Sequence, residues 1–255
     1  MLLKPTFLFA IFVMFILNSI TYAQDVQTGS FRITSTSEVI LGKEMASDFE
    51  KQIAIDEEIN WWTYVPKTYD SDNPPGILLY QTYRSNTEDP TGWKTAMDER
   101  NMILIRIIGK GGEYPQRKEL FLSVLAPLVL QQRYTIDSSR IYTTADGGCI
   151  NAGAMAQTYP NIVKGAIYVN CNPSVWRGKE PDLVDLMRQN RYYFIAARDR
   201  TQQIDNRQEI RKYKKAGIEN VKFVRTGRLS RSENLNRNQL KEAIDYLDGN
   251  EVVAE

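Results

Sequence analysis

Short apolar runs alternate with amphipathic segments along the chain from Asn60 onward. Several runs are nearly continuous stretches of β-branched and aromatic residues, which is typical of strands buried on both faces. The predicted strands are Asn60–Val65, Gly76–Tyr83, Met102–Ile108, Ile141–Thr144, Ala166–Cys171, Tyr192–Ala197 and Val221–Arg225. The predicted helices are Gly92–Arg100, Lys118–Arg133, Cys149–Tyr159, Pro181–Asn190, Gln203–Ala216 and Gln239–Leu247. Pro127 lies inside the second helix and predicts an interruption there.

The alternation of strands and helices predicts the fold class. At this spacing it indicates parallel strands joined by crossover helices, hence an α/β fold with a doubly wound, mostly parallel sheet and helices on both faces. The last helix has the clearest pattern, because its apolar residues recur at helical spacing and Gly249 follows where the helix would end. Ligands of such sheets bind beyond the C-terminal ends of the strands, so the loops after each strand are the candidate functional segments.

The first residues have the order of a secretory signal. Lys4 precedes an apolar run, Phe7–Leu17, and small residues at 21 and 23 precede Gln24. We therefore expect a signal peptide over 1–23, a single domain over 24–255, and an exported protein, either periplasmic or secreted. An uncleaved anchor is the alternative; after cleavage no stable membrane span is expected.

Composition is that of an ordinary globular protein, with 42% hydrophobic and 25% charged residues among 255. The sequence contains no histidine. Imidazole is the one side chain that titrates near neutral pH without help, so mechanisms with a histidine base are excluded. Two cysteines without histidine do not supply the ligands of a structural zinc site, and neither a metal nor a cofactor is predicted. A charge-balanced, exported chain without a binding motif also argues against nucleic acid as a partner.

Several short motifs occur in an order that is shared with one superfamily. They are Tyr64-Val65-Pro66, Tyr134-Thr135-Ile136-Asp137, Arg140-Ile141-Tyr142, Tyr159-Pro160, Gly165-Ala166-Ile167, Asp199 after Phe194–Ala197, and Ala243–Leu247. With these motifs the chain resembles the α/β-hydrolase superfamily, and within it small secreted esterases of the poly(3-hydroxybutyrate) depolymerase and feruloyl esterase kind. The resemblance covers about 61–249. It implies an α/β-hydrolase fold and carboxylic-ester hydrolysis by a Ser–His–acid triad.

The catalytic part of the resemblance fails. The family has G-x-S-x-G after Arg-Ile-Tyr, a strained turn that presents serine at a helix N-terminus. Counting forward from Arg140 places Gly147 at the nucleophile position, and counting back from Tyr159 places Asp146 there. Neither residue is serine. The resemblance assigns the triad acid to Asp199.

The family's histidine follows the final strand, where this chain has Ser230 or Arg231. No side chain of this sequence can therefore take up the serine proton and return it in the family's manner. Loss of a triad member costs about 10⁴ to 10⁶ in rate in serine proteases.

The remaining candidate residues each have a structural and a functional interpretation. Cys149 is interpreted as half of a disulfide with Cys171, as a buried thiol, or as a nucleophile at a helix N-terminus. Asp146 is interpreted as a turn residue ahead of Gly147 and Gly148, or as a carboxylate nucleophile. Asp199 is interpreted as a catalytic acid, or as a structural acid held by arginine.

Charge is unevenly distributed along the chain. The segment 186–240 carries 14 basic and 5 acidic residues, whereas 24–60 is acidic. One interpretation is a solvated helix face paired with the acidic segment. The other is a site for carboxylate or phosphate groups at Arg228 and Arg231, near the position of the family's histidine.

These observations lead to one functional hypothesis and one alternative. The hypothesis is an exported α/β-hydrolase-fold pseudoenzyme that binds an unidentified small molecule, glycan or partner, with Gly147, Gly148, Arg228, Ser230 and Arg231 as candidate binding residues. The alternative is an active ester hydrolase that uses Asp146 or Cys149 with Asp199.

Overall fold

The structure is a computed structural model that describes residues 26–82, 88–108, 116–146, 149–171, 173, 176, 179–197, 200–227 and 235–250. Within these residues eight strands form one sheet. The strands are β1 (Gly29–Ser35), β2 (Ile59–Val65), β3 (Gly76–Thr82), β4 (Met102–Ile107), β5 (Ile141–Asp146), β6 (Gly165–Val169), β7 (Arg191–Ala196) and β8 (Val221–Arg225). The helices are α1 (Ser37–Leu41), α2 (Lys43–Ser47), α3 (Trp93–Arg100), α4 (Gln116–Gln131), α5 (Cys149–Thr158), α6 (Val184–Met187), α7 (Arg200–Lys215) and α8 (Arg237–Leu247).

The strand order confirms the predicted fold class. It is β1-β2-β4-β3-β5-β6-β7-β8, with β1 and β2 antiparallel to their neighbours and the remaining strands parallel. From β3 the chain first moves outward to β4 and then crosses back to β5 on the other side. The order therefore reverses between β3 and β5, and the crevice for a ligand is expected at their C-terminal ends.

Helices cover both faces of the sheet, and each face has its own apolar core. Alternate residues of β3 show the division: Ile77 and Leu79 lie in the core under α4 and α5, whereas Leu78 and Tyr80 lie in the core under α3 and α8. Successive side chains of a strand point to opposite faces, so a strand buried on both sides must be apolar throughout. In the part of the chain that the structure describes, no helix is both long and apolar enough to cross a membrane.

Helix α8 confirms its sequence pattern at both ends. The Asn236 side chain accepts a hydrogen bond from the Gln239 backbone, and the Gln239 side chain accepts one from the Asn236 backbone. This reciprocal cap satisfies two backbone donors that the first turn would otherwise leave unpaired. The helix ends before Gly249, whose positive φ of 81° is a conformation that favours glycine.

Two helix predictions were wrong in detail. The predicted interruption at Pro127 does not occur, since α4 continues through it. The helix lies in the core, and tertiary packing there outweighs the hydrogen bond that proline cannot make. The predicted helix Pro181–Asn190 is reduced to Val184–Met187, in which Met187 alone is buried. With one buried side chain, the segment has no apolar face to stabilise further turns.

Strand β1 was not predicted. Its residues Gly29–Ser35 pair antiparallel with β2 at the edge of the sheet, with Phe31 and Ile33 buried. Two apolar side chains among serine, threonine and arginine give only a weak alternating pattern. Pairing with β2 therefore stabilises a strand that its own residues favour weakly.

Candidate functional site

The C-terminal ends of β3 and β5 form the edge at which the strand order predicts a ligand crevice. Thr82 and Asp146 are the last residues of these strands and lie opposite each other in the parallel register. Helix α5 begins at Cys149, three positions after Asp146, so a strand is followed closely by a helix. Both candidates for the nucleophile position, Asp146 and Gly147, fall between this strand and this helix in the sequence, and Gly147 lies outside the described residues.

Most predicted site residues lie outside the described residues: Gly147, Gly148, Asp199, Arg228, Ser230 and Arg231. The backbone of Asp146, and both cysteines, are described. Strands β7 and β8 end at Ala196 and Arg225, parallel to β5. The chain therefore leaves β5, β7 and β8 at the same edge of the sheet, before it reaches Gly147, Asp199 and Arg228 respectively.

The two cysteines form a disulfide. Cys149 is the first residue of α5 and is buried, and Cys171 lies two residues beyond β6. Their Cα atoms are 5.9 Å apart, within the usual range for a disulfide. The bond ties the start of α5 to the loop after β6. An oxidised Cys149 has no thiolate, which is the nucleophilic form of cysteine.

A polar network that the sequence did not predict joins the end of β3, helix α4 and the first turn of α5. Gln81, at the end of β3, accepts a hydrogen bond from the Ser123 hydroxyl of α4 at 3.1 Å. Nearby on α4, Glu119 accepts a 2.6 Å hydrogen bond from the Asn151 amide of α5. Burial raises the pKa of Glu119, and the Asn151 hydrogen bond opposes this shift. The network joins β3, α4 and α5 around the junction, and it places a carboxyl group of raised pKa close to it.

The end of β7 is held from two sides. Asn170, just after β6, has a positive φ of 48° and accepts a hydrogen bond from the Ala197 backbone N–H at 3.2 Å. The Gln203 amide donates to the Ala197 carbonyl at 3.0 Å. Asparagine is among the residues that tolerate the left-handed region best. Two side chains thus fix the backbone two residues before Asp199.

A buried ion pair holds the chain after β3. The side chains of Asp89 and Arg106 are 1% and 4% exposed, with 3.6 Å between the Asp89 Oδ1 and Arg106 Nε atoms. Trp62 donates its indole N–H to the other oxygen of Asp89 at 3.2 Å. Burial lowers the pKa of Arg106, and the charge of Asp89 counteracts this. The pair connects β4 to the segment leaving β3, at the same edge as the crevice.

Helix α7 has polar side chains on its buried face. Asn206 and Glu209 are fully buried, and Tyr213, one turn further, donates to or accepts from Tyr168 at 3.1 Å between hydroxyl oxygens. Glu209 pairs with Lys212 at 2.8 Å through one oxygen. Both polar atoms of the Asn206 side chain lack a hydrogen-bond partner among the described residues. An unpaired buried amide is destabilising, because it has lost its hydrogen bonds to water.

Replacing Asn206 by leucine should therefore stabilise the protein by about 1 kcal/mol, since the unpaired amide is removed and apolar surface takes its place. The measurement is urea unfolding at neutral pH. Asn190→Leu is the matched control. Asn190 is also buried, but its amide donates to the carbonyls of Pro160 and Val163 at 2.8 and 3.0 Å, so the same change should destabilise the protein. A similar loss of stability in both variants would contradict the prediction.

A second cleft lies at the opposite, N-terminal edge of the parallel strands. It has a volume of about 540 Å³ and lies among the ends of α3, β5 and α8. Its charged walls are paired: Arg100 binds both oxygens of Asp245, and Arg140 binds both oxygens of Asp248. The fixed pairs leave this cleft without a charge aimed at a ligand, so we assign it a role in holding α8.

The fold that these elements define is the α/β-hydrolase fold. Its marks here are the strand order, the antiparallel start of the sheet, helices on both faces, and a helix that begins soon after β5. The structural part of the resemblance seen in the sequence is thereby confirmed.

Comparison with solved structures agrees with this assignment. A ferulic acid esterase superposes with a TM-score of 0.57 at 12% identity, covering 87% of this chain and 98% of its own. A thermostable esterase has a TM-score of 0.53 at 14% identity, and dipeptidyl peptidase 4 of Porphyromonas gingivalis has 0.52 at 14%. They cover 78% and 77% of this chain, which spans 55% and 34% of their own lengths. No protein-family model and no curated protein matches the sequence. At these identities the likeness shows the fold alone.

Proposed function

We propose that this protein is an exported pseudoenzyme of the α/β-hydrolase fold that binds a small molecule, glycan or partner and does not hydrolyse esters. One observation carries the proposal: the sequence contains no histidine. In a Ser–His–acid mechanism, imidazole takes the nucleophile's proton and passes it to the leaving group. The nucleophile junction gives independent support, because neither Asp146 nor Gly147 is serine.

The disulfide supports the same proposal against a thiol nucleophile. Cys149 is bonded to Cys171, so the oxidised protein offers no thiolate at the start of α5. The carboxyl group of Glu119 does not replace the missing histidine in this proposal, because its hydrogen bond to Asn151 ties it to the helix packing.

Purified protein should give neither a burst nor turnover of p-nitrophenyl acetate or butyrate above the rate of buffer. Loss of triad members lowers the rate by about 10⁴ to 10⁶, which places residual activity below detection in a routine assay. Turnover that disappears in Asp146→Asn or Asp199→Asn would overturn the proposal and support a carboxylate-based hydrolase. Cys149→Ser and Cys171→Ser are a matched pair of variants for testing Cys149 as the nucleophile. Both variants break the disulfide, but only Cys171→Ser keeps the Cys149 thiol.

Export is supported by the signal pattern of 1–23 and by the disulfide, since disulfides persist mainly in oxidising compartments. The protein recovered from outside the cytoplasm of its producing cell should begin at Gln24. N-terminal sequencing measures this directly. Recovery of the chain only from the cytoplasm, starting at Met1 and with reduced cysteines, would contradict export.

A further inference from the structure

The outer face of α7 is a row of exposed positive charges. Arg207, Arg211, Lys214 and Lys215 are all exposed, and they follow one another at i, i+4, i+7 and i+8. That spacing puts them on one side of the helix over a rise of about 12 Å. They lie opposite the buried face that contains Tyr213. We call these four residues the basic row.

The basic row differs from two nearby groups of cations, which are paired with carboxylates. On α8, Arg237 and Lys241 both bind Glu99. On α7 itself, Lys212 turns to the buried Glu209. In the described part of the chain, by contrast, none of the four residues of the basic row lies within 4.0 Å of a carboxylate oxygen.

The acidic N-terminal segment does not neutralise the row. The expected pairing of the basic region with 24–60 is not found among the described residues, where Glu57 binds Lys118 of α4 instead. Like charges at i, i+4 also destabilise an isolated helix slightly. The row therefore concentrates positive potential on one surface of a chain whose formal net charge is only +1.

We propose that the basic row of α7 is a binding surface for an acidic polysaccharide, a linear chain with carboxylate or sulfate groups. Arg207 and Arg211 present two guanidinium forks one helical turn apart, and such forks bind carboxylate and sulfate-like groups through paired hydrogen bonds. Lys214 and Lys215 continue the same line. This surface is separate from the crevice between β3 and β5, so the inference holds whether or not the protein hydrolyses esters.

A polysaccharide fits the row better than a lipid surface. Helices that lie in a membrane interface carry apolar side chains beside their basic ones. The large exposed apolar residues of the described chain are Val26, Val39, Ile150 and Leu186, and none of them is on α7. Binding of a ligand to the basic row is therefore expected to be electrostatic and to weaken as salt screens the charges.

The test uses the whole protein and polygalacturonate, with neutral dextran as the uncharged comparison, in a titration at low salt. The wild type should bind polygalacturonate and not dextran. Changing all four residues of the basic row to glutamine should weaken binding by about tenfold or more. The matched control changes four scattered, exposed cations to glutamine: Arg32, Lys43, Lys51 and Lys67. It lowers net charge equally and should keep affinity within about twofold of the wild type.

Three outcomes would overturn the proposal. One is absence of wild-type binding to polygalacturonate, and another is an equal loss of affinity in the row variant and the control. The third is binding to vesicles of equal parts phosphatidylglycerol and phosphatidylcholine without binding to the polysaccharide, which would assign the row to a membrane. Circular dichroism should show both variants folded, because every altered side chain is exposed.

Discussion

Asp248→Ala should destabilise the protein by about 3 kcal/mol, because it leaves a largely buried arginine without its counter-charge. Asp248 accepts two hydrogen bonds from Arg140, at 2.8 and 2.7 Å, and one from the Tyr142 hydroxyl at 2.7 Å. The Arg140 and Asp248 side chains are only 21% and 9% exposed. For a domain of this size, the loss corresponds to a fall in Tm of roughly 6–12 °C.

The pKa shifts agree with a strong local coupling. Burial alone would lower the pKa of Arg140, but the hydrogen bonds and charge of Asp248 raise it above its ordinary value. Burial, reinforced by Asp248, raises the pKa of Tyr142 well above that of a free phenol. Arg140 and Tyr142 thus keep their protons at any ordinary pH. The loss of stability in Asp248→Ala should therefore not depend on pH between neutral and mildly alkaline conditions.

The control for this prediction is Asp182→Ala. Its ion pair with Lys179, at 3.2 Å, has side chains 85% and 58% exposed, so its removal should change stability by less than about 0.5 kcal/mol. Replacing Arg140 and Asp248 together by leucine should cost less than Asp248→Ala alone, because no buried charge is then left unpaired. Equal unfolding midpoints in urea for the wild type and Asp248→Ala would contradict the structural role of the second cleft.

The central strands could be predicted from the sequence because a strand buried on both faces must be largely apolar, whichever elements pack against it. Apart from Arg191 and Arg106, strands β7 (Arg191–Ala196) and β4 (Met102–Ile107) are apolar on both faces, as strands buried on both sides of a parallel sheet require. Edge strand β1 buries the side chains of one face only, Phe31 and Ile33, so its hydrophobic pattern in the sequence is weaker. Helix α4 continues through Pro127 because it packs against the core. The expectation that proline interrupts a helix considers only the local sequence and not this packing.

The candidate site was predictable in position but not in its supporting contacts. A disulfide between Cys149 and Cys171 was one interpretation of the sequence, because Cys171 ends a predicted strand that was expected to neighbour the strand before Cys149. The structure contains this disulfide. The contacts of Gln81, Ser123 and Asn151 join three separate elements, so no spacing along the chain indicates them. The available signal was a glutamine at the end of an otherwise apolar strand, where the crevice was expected.

Breaking the disulfide should also lower stability by about 3 kcal/mol, since the bond closes a loop with a sequence separation of 22 and restricts the unfolded chain. Cys171→Ser is the variant of choice. It leaves Cys149 as a buried thiol, which packs as a small apolar group, whereas Cys149→Ser would in addition bury a hydroxyl.

The measurement is the urea midpoint of Cys171→Ser compared with that of the wild type before and after reduction and alkylation. Reduced wild type and Cys171→Ser should unfold at similar, lower concentrations, since both lose the same constraint. The disulfide ties the start of α5 to the loop after β6, so local unfolding near Asp146 requires both segments to open together. Without the bond the start of α5 can open alone, and proteolysis near Asp146 should increase more than elsewhere in the chain. An unchanged midpoint after verified reduction would show that packing of Cys149 alone holds the junction, and the disulfide would then have no structural role.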